Sequence, residues 1–244
     1  LHVRSSSAAS DVYKRQGIIG AMDEEVDILV DLMDIKETIE KASLKFYKGT
    51  LEGKDIVLVR CGIGKVNSAL CAQILISEFD VDAIVNTGVA GALHSELDVL
   101  DMVISTDAIQ YDVDTTAFGD PKGTIPRMES SVFVADEKLI NAAYESSIKE
   151  MKSNKVLKGR VATGDIFISS KELKEELVND FNAYCGEMEG GAIAHVCTLN
   201  KVPFVILRTI SDKADDSATM DYPAFEKLAI ANNVKVMKEL VANI

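Results

Sequence analysis

Short apolar runs alternate with longer amphipathic stretches from residue 17 to residue 244, the pattern of a sheet layered by helices. Residues 17–21, 46–51, 56–60, 83–86, 102–110, 159–163 and 203–209 read as strands. Their buried runs are rich in Val and Ile, as strands covered on both faces require. Between them, 25–33 set Val26, Leu29, Val30 and Met33 at helical spacing. Residues 66–79 read as a buried helix, 136–151 and 171–179 as helices with polar faces, 189–199 as an apolar helix and 223–241 as the closing helix. Residues 87–92 read as a Gly-containing turn. No repeat, linker or low-complexity block divides the chain, so the expectation is one α/β domain with helices flanking a central sheet. Two of the four prolines, Pro121 and Pro126, fall in a loop at 111–127, long enough to suggest a functional or interface role.

Charge and composition narrow the classes. Lys plus Arg number 26 and Asp plus Glu 39, a formal charge of −13 that repels phosphate backbones and anionic headgroups. Neither nucleic acid nor a membrane surface is an expected partner. Charged residues interrupt every apolar run before the roughly 18 residues that a membrane span needs. Cys61, Cys71, Cys185 and Cys197 form no C-x-x-C pair, which suits reduced thiols in the cytoplasm. His2, His94 and His195 form no ligand spacing, so no metal is expected. Residues 1–16 differ from the rest: they are rich in Ser and Ala, and carry Arg4, Lys14 and Arg15 against the single acid Asp11. Asp11–Gln16, DVYKRQ, is what GATGTGTATAAGAGACAG encodes, a string matching a transposon sequencing adapter. Residues 1–16 are therefore expected to be non-native and 17–244 to form the domain.

Several familiar motifs fail. Cys61-Gly62-Ile63-Gly64-Lys65 resembles the end of a P-loop, but Val59 stands where the first glycine is needed and Val66 where Ser or Thr would hold magnesium. No G-x-S-x-G elbow is present. Three strand ends instead carry polar groups where open α/β sheets place ligands. Asp23-Glu24-Glu25 follows the first strand, and its acids could simply complement a helix N-terminus. Glu187-Met188-Glu189 precedes a Gly pair and an apolar helix, and either carboxylate could cap backbone donors or bind ligand hydroxyls. Arg208 and Asp212 lie where the most apolar strand empties.

These segments together resemble one family. Gly17-Ile18-Ile19-Gly20-Ala21-Met22 with Glu25, Gly62-Ile63-Gly64-Lys65-Val66, Asn86-Thr87-Gly88 with Ala90-Gly91, Gly164-Asp165 with Phe167-Ile168, Glu187-Met188-Glu189, and Arg208 with Ile210-Ser211-Asp212 occur in the order of bacterial 5′-methylthioadenosine/S-adenosylhomocysteine nucleosidases. The resemblance spans residues 17–244 and implies a single-domain nucleoside phosphorylase-like fold and a homodimer. It implies hydrolysis of the N-glycosidic bond of adenine thionucleosides, 5′-deoxyadenosine being a further candidate, without a cofactor. Catalytic roles then fall to Asp212 as the acid protonating adenine N7, Glu25 as the base activating water, and Arg208 as their support. Phe167 would stack on adenine and the Ile168 backbone would meet its Watson–Crick edge. Met188 would pack on the ribose, Glu189 would bind the ribose hydroxyls, Glu187 would be a further substrate-binding residue, Ser211 would orient the neighbourhood of Asp212, and Val89 would lie near the water and Glu25. Met22 and Tyr222 would line the 5′-thio pocket, with Phe118 and Pro126 of loop 111–127 arriving from the partner subunit. The chain departs from the pattern at Val89, where Ser is common, at Ala92, where Gly is usual, and at Tyr222, where Phe is common. Rival readings are a nucleoside phosphorylase, an aminodeoxyfutalosine nucleosidase and a silent nucleoside-binding protein. Asp23-Glu24-Glu25 disfavours the phosphorylase, because carboxylates repel phosphate and suit a water nucleophile.

Overall fold

The computed structural model describes residues 13–244. In chain order the elements are β1 (Arg15–Gly20), α1 (Asp23–Leu32), β2 (Asp34–Lys41), β3 (Leu44–Leu51), β4 (Lys54–Arg60), α2 (Lys65–Phe79), β5 (Ala83–Ala92) and β6 (Met102–Gln110). There follow β7 (Phe133–Val134), α3 (Glu137–Glu150), β8 (Val156–Thr163), α4 (Lys171–Phe181), β9 (Ala183–Glu187), α5 (Gly190–Asn200), β10 (Phe204–Asp212) and α6 (Ala218–Asn243). All ten strands join one mixed sheet. β5 pairs with β10, which pairs in turn with β6, β8, β9 and back to β5, so five strands close a ring. β1, β4, β3 and β2 extend the sheet from β5.

Both faces of the central strands are buried, and side-chain alternation sorts residues between them. Ile19, Val57, Val59, Ile84 and Ile206 pack with α2 and α5, around Cys71, Leu75, Ile193 and Cys197. Their neighbours Ile18, Leu58, Val85, Val205 and Leu207 pack with α1, α3 and α6, around Leu29, Leu139, Ile230 and Met237. Each such side chain contributes roughly 1.5–3 kcal/mol through burial, so the register is fixed from both sides.

Four sequence expectations need correction. Residues 87–92 are not a turn but the second half of β5. Gly88 and Gly91 are there because of close approach: a Cβ at Gly88 would lie 2.7 Å from Glu25 Oε1, and one at Gly91 2.7 Å from the Ala214 methyl. β2 went unread because it is an edge strand, DIKETIEK, exposed along nearly its whole length. The helix at 66–79 is not buried all round, since Val66 is 80% exposed. The last helix starts at Ala218, ahead of Pro223, which sits inside it. The expectation for residues 1–16 lies mostly outside the described residues, although Tyr13 is buried with its hydroxyl on Asp136, and Arg15 and Gln16 pair with β4.

β5 also creates the opening for a site. On one edge β1 pairs with Ala83 to Asn86 and β9 with only Gly91 and Ala92, so the two neighbours diverge around Thr87 to Ala90. A crevice where strands part at their carboxyl ends is the usual ligand position in such sheets.

Candidate active site

A cavity of about 380 Å³ fills this crevice. Its wall is assembled from the ends of β1, β5, β9 and β10, the start of α1, the loop after β8 and the first turns of α6. Of the residues expected at the site, Met22, Glu25, Val89, Phe167, Ile168, Glu187, Met188, Glu189, Ser211, Asp212 and Tyr222 line it. Arg208 is buried behind the wall, and Phe118 and Pro126 are exposed on the surface, Phe118 at 89%. Ile63, quoted in the sequence only as part of the Gly62-Ile63-Gly64 motif, and Ile166, not named there, also line the cavity.

Glu25 is the third residue of α1, and its carboxylate turns back into the sheet instead of decorating the helix start as Asp23 and Glu24 do. Oε2 accepts the Ala21 and Met22 N–H groups at 2.6 and 3.1 Å, and Oε1 accepts the Val89 N–H at 3.2 Å. That last donor sits on the β5 edge where β1 and β9 part. Burial raises the Glu25 pKa, against the Arg208 cation and the three N–H bonds that lower it.

Arg208 is the anchor beneath. Its Nη2 donates to Asn86 Oδ1 at 2.6 Å and to Glu187 Oε2, in an ion pair nearly sealed from solvent. Glu187 further accepts the Thr163 hydroxyl and the Glu189 and Gly190 N–H groups. Its oxygens are largely occupied by the protein, and it fixes the start of α5 as well as Arg208. Asn86 and Thr163 went unassigned in the sequence; only contact across the fold gives them this part. Arg208→Leu would strand Glu187 as a buried unpaired carboxylate, a loss of about 3–5 kcal/mol. The melting temperature should fall by on the order of 10 °C, which differential scanning calorimetry would read.

Glu189 precedes α5, and its Oε1 accepts the Gly64 N–H at 2.9 Å. Burial first, then the neighbouring Glu187, pushes its pKa up to about 7. The fold thus favours the protonated carboxyl. The stability it contributes is present below the ordinary value of 4.5 and is lost as pH rises through about 7. Glu189→Gln should therefore raise the melting temperature at pH 8 by on the order of 5 °C and change it little at pH 5. Equal shifts at both pH values would contradict this assignment.

Asp212 closes β10. Oδ1 accepts the Ala214 N–H at 2.8 Å and Oδ2 pairs with the Ser211 hydroxyl at 2.9 Å. Burial raises its pKa in spite of both bonds, with Asp221 and Asp215 adding in the same direction. Across the cavity, Phe167 meets Tyr222 edge-on at 5.9 Å, and the Tyr222 hydroxyl reaches Met22 Sδ at 3.3 Å and Glu226 Oε1 at 2.6 Å. The cavity therefore joins an aromatic and thioether-rich mouth to two buried carboxyls, Glu25 and Asp212, held by different elements. Among the described residues no group of His, Cys, Asp or Glu could hold a metal ion, and no helix is long and apolar enough to cross a membrane.

Comparison with known proteins shows the family. The model of the phosphorylase superfamily matches residues 15–242. A 5′-methylthioadenosine/S-adenosylhomocysteine nucleosidase of Halalkalibacterium halodurans is 43% identical over 229 residues, 93% of this chain and 98% of its own. The crystal structure of the enzyme of that name from Neisseria meningitidis, in complex with methylthio-immucillin-A, superimposes with a TM-score of 0.90 at 38% identity, covering 95% of this chain and 100% of that one. A futalosine hydrolase of Helicobacter pylori superimposes with a TM-score of 0.88 at 36% identity, over 95% of this chain and 98% of that one. This chain belongs to the phosphorylase superfamily and, within it, to the 5′-methylthioadenosine/S-adenosylhomocysteine nucleosidases.

Proposed function

We propose that the protein hydrolyses the N-glycosidic bond of 5′-methylthioadenosine and S-adenosylhomocysteine, releasing adenine and the thioribose product, in methionine salvage and S-adenosylmethionine recycling. The observation that carries this reading is the pair of buried carboxyls, Glu25 and Asp212, lining one cavity with their pKa values raised by burial. Adenine leaves poorly as an anion, so N7 must be protonated as the bond breaks. Asp212, whose burial retains a proton, supplies it. The ribosyl ring becomes cationic in the same step, and the surrounding carboxylates stabilise it more than they stabilise the substrate. Glu25 receives the proton of the attacking water. A carboxylate has about four acceptor positions, and the three N–H bonds leave one on Oε1, beside Val89. Arg208 holds the carboxylate array in place, and the division of labour parallels two-carboxylate glycoside hydrolysis.

In this reading adenine stacks on Phe167 with its polar edge on the Ile168 backbone, the ribose rests on Met188 with hydroxyls on Glu189, and Met22 and Tyr222 face the 5′ substituent. A second copy of the chain completes the site, its loop 111–127 bringing Phe118 and Pro126 over the 5′ end. Two features support such a dimer: Phe118 is exposed, and Ile63, Val66 and Leu70 form an exposed apolar stripe from the cavity wall along α2. The buried free thiols suit a reducing cytoplasm. Residues 1–16 are read as non-native on their composition and their encoded string, with Arg15 and Gln16 taking the place of the native start of β1; an uninterrupted genomic reading frame through them would refute that.

The test is adenine release from methylthioadenosine, S-adenosylhomocysteine, 5′-deoxyadenosine and aminodeoxyfutalosine, side by side. Turnover of the two thionucleosides is expected. Turnover of aminodeoxyfutalosine alone would favour the alternative that the Helicobacter pylori neighbour suggests.

A further inference from the structure

Asp212 is connected to a lysine of another element through a single peptide group. Its Oδ1 accepts the N–H of Ala214. The carbonyl of that same peptide belongs to Lys213, and Lys174 Nζ, on α4, donates to it at 2.5 Å. In a trans peptide the C=O and N–H point in opposite directions within one plane. The ammonium of Lys174 and the carboxyl of Asp212 therefore sit at the two ends of one dipole. The Lys174 side chain is only 23% exposed and lies 3.8 Å from Asp215, so its charge is not dispersed into bulk water.

The backbone here is unusual in a way that needs such support. Ala214 is fully buried with φ at 52°, a left-handed conformation that residues other than glycine seldom hold unless their surroundings impose it. Its methyl presses on Gly91, where a Cβ would come within 2.7 Å. The Lys213 side chain runs the other way, donating to Leu97 O at 2.7 Å and pairing with Asp98 at 2.6 Å. Two lysines thus stake the peptide 213–214, one through its carbonyl and one through its own side chain.

We propose that Lys174 is a positioning residue for the glycosidic cleavage, acting on Asp212 through the 213–214 peptide. Hydrogen bonds in series polarise one another, so the cation strengthens the Ala214 N–H as a donor and keeps Oδ1 as the acceptor oxygen. The carboxyl proton is then held on Oδ2, beside Ser211. When that proton passes to adenine N7 and the C–N bonding pair leaves with the base, Asp212 becomes an anion, and the polarised peptide stabilises the charge as it forms. The inference rests on the reading of Asp212 as the general acid.

The test compares Lys174→Met, Lys174→Arg and Asp212→Asn with the parent protein on methylthioadenosine. Lys174→Met should lower kcat by about tenfold, with KM within twofold and a melting temperature within a few degrees of the parent. Lys174→Arg, which keeps the cation and donors, should restore kcat to within about threefold. Unchanged kcat in Lys174→Met, or a loss that Arg does not restore or that follows a lowered melting temperature, would overturn the proposal. Retained activity in Asp212→Asn would instead defeat the general-acid reading itself, so the two failures are distinguishable.

Discussion

Asp212→Asn should lower kcat for methylthioadenosine by about 10³-fold or more, at the upper end of what a general acid supplies, while the protein stays folded. Asn is nearly isosteric. Its Oδ1 can accept the Ala214 N–H and its amide can donate to Ser211 Oγ, so both hydrogen bonds of the native side chain have replacements. What Asn lacks is a proton to give. KM should therefore change little, and the loss should fall on kcat and kcat/KM together, the sign of an interaction made only in the transition state. The same assignment sets a pH dependence. The active form is the protonated carboxyl, burial raises its pKa, and kcat/KM should decline as pH rises through that raised value. Adenine release followed from pH 5 to 9 measures it.

Glu25→Gln should cost about 10²- to 10⁴-fold in kcat and, unlike Asp212→Asn, should also reduce stability. Glu25 accepts N–H groups on both oxygens, from Ala21 and Met22 on one side and Val89 on the other. A glutamine can satisfy only one side, and its amide then faces another donor in a buried place, at a cost of about 1–3 kcal/mol. A melting temperature lower by several degrees with activity nearly lost is the expected pair of results. Full activity in this variant would remove Glu25 from the chemistry, whatever its effect on stability.

Much of the fold was legible because burial on both faces leaves a plain trace: Val57 to Val59, Ile84 with Val85, and Val205 to Leu207 are continuous apolar runs. β2 left no such trace, since an edge strand facing water keeps its polar residues. The second half of β5 was misread for another reason. Gly88 and Gly91 look like chain breakers in sequence, yet each is dictated by a side chain arriving from far along the chain, Glu25 in one case and Ala214 in the other. The site divides the same way. Glu25, Glu189 and Asp212, proposed from ordered motifs at strand ends, line one cavity. Asn86, although inside the Asn86-Thr87-Gly88 motif, and Thr163 received no role, because their part is to hold Arg208 and Glu187, which lie 122 and 24 residues away in sequence. Phe118 and Pro126 face outward within the one chain, and the share proposed for them in the site requires a second copy of it.

Hydrolysis, as opposed to phosphorolysis, is the central claim, since both reactions occur around one scaffold and differ in the nucleophile. Incubating the protein with methylthioadenosine with and without inorganic phosphate, and identifying the sugar product by mass spectrometry, tests it most directly. Adenine release at the same rate in both buffers, with free methylthioribose as the product, is the predicted result. Release that depends on phosphate and yields methylthioribose 1-phosphate would contradict it.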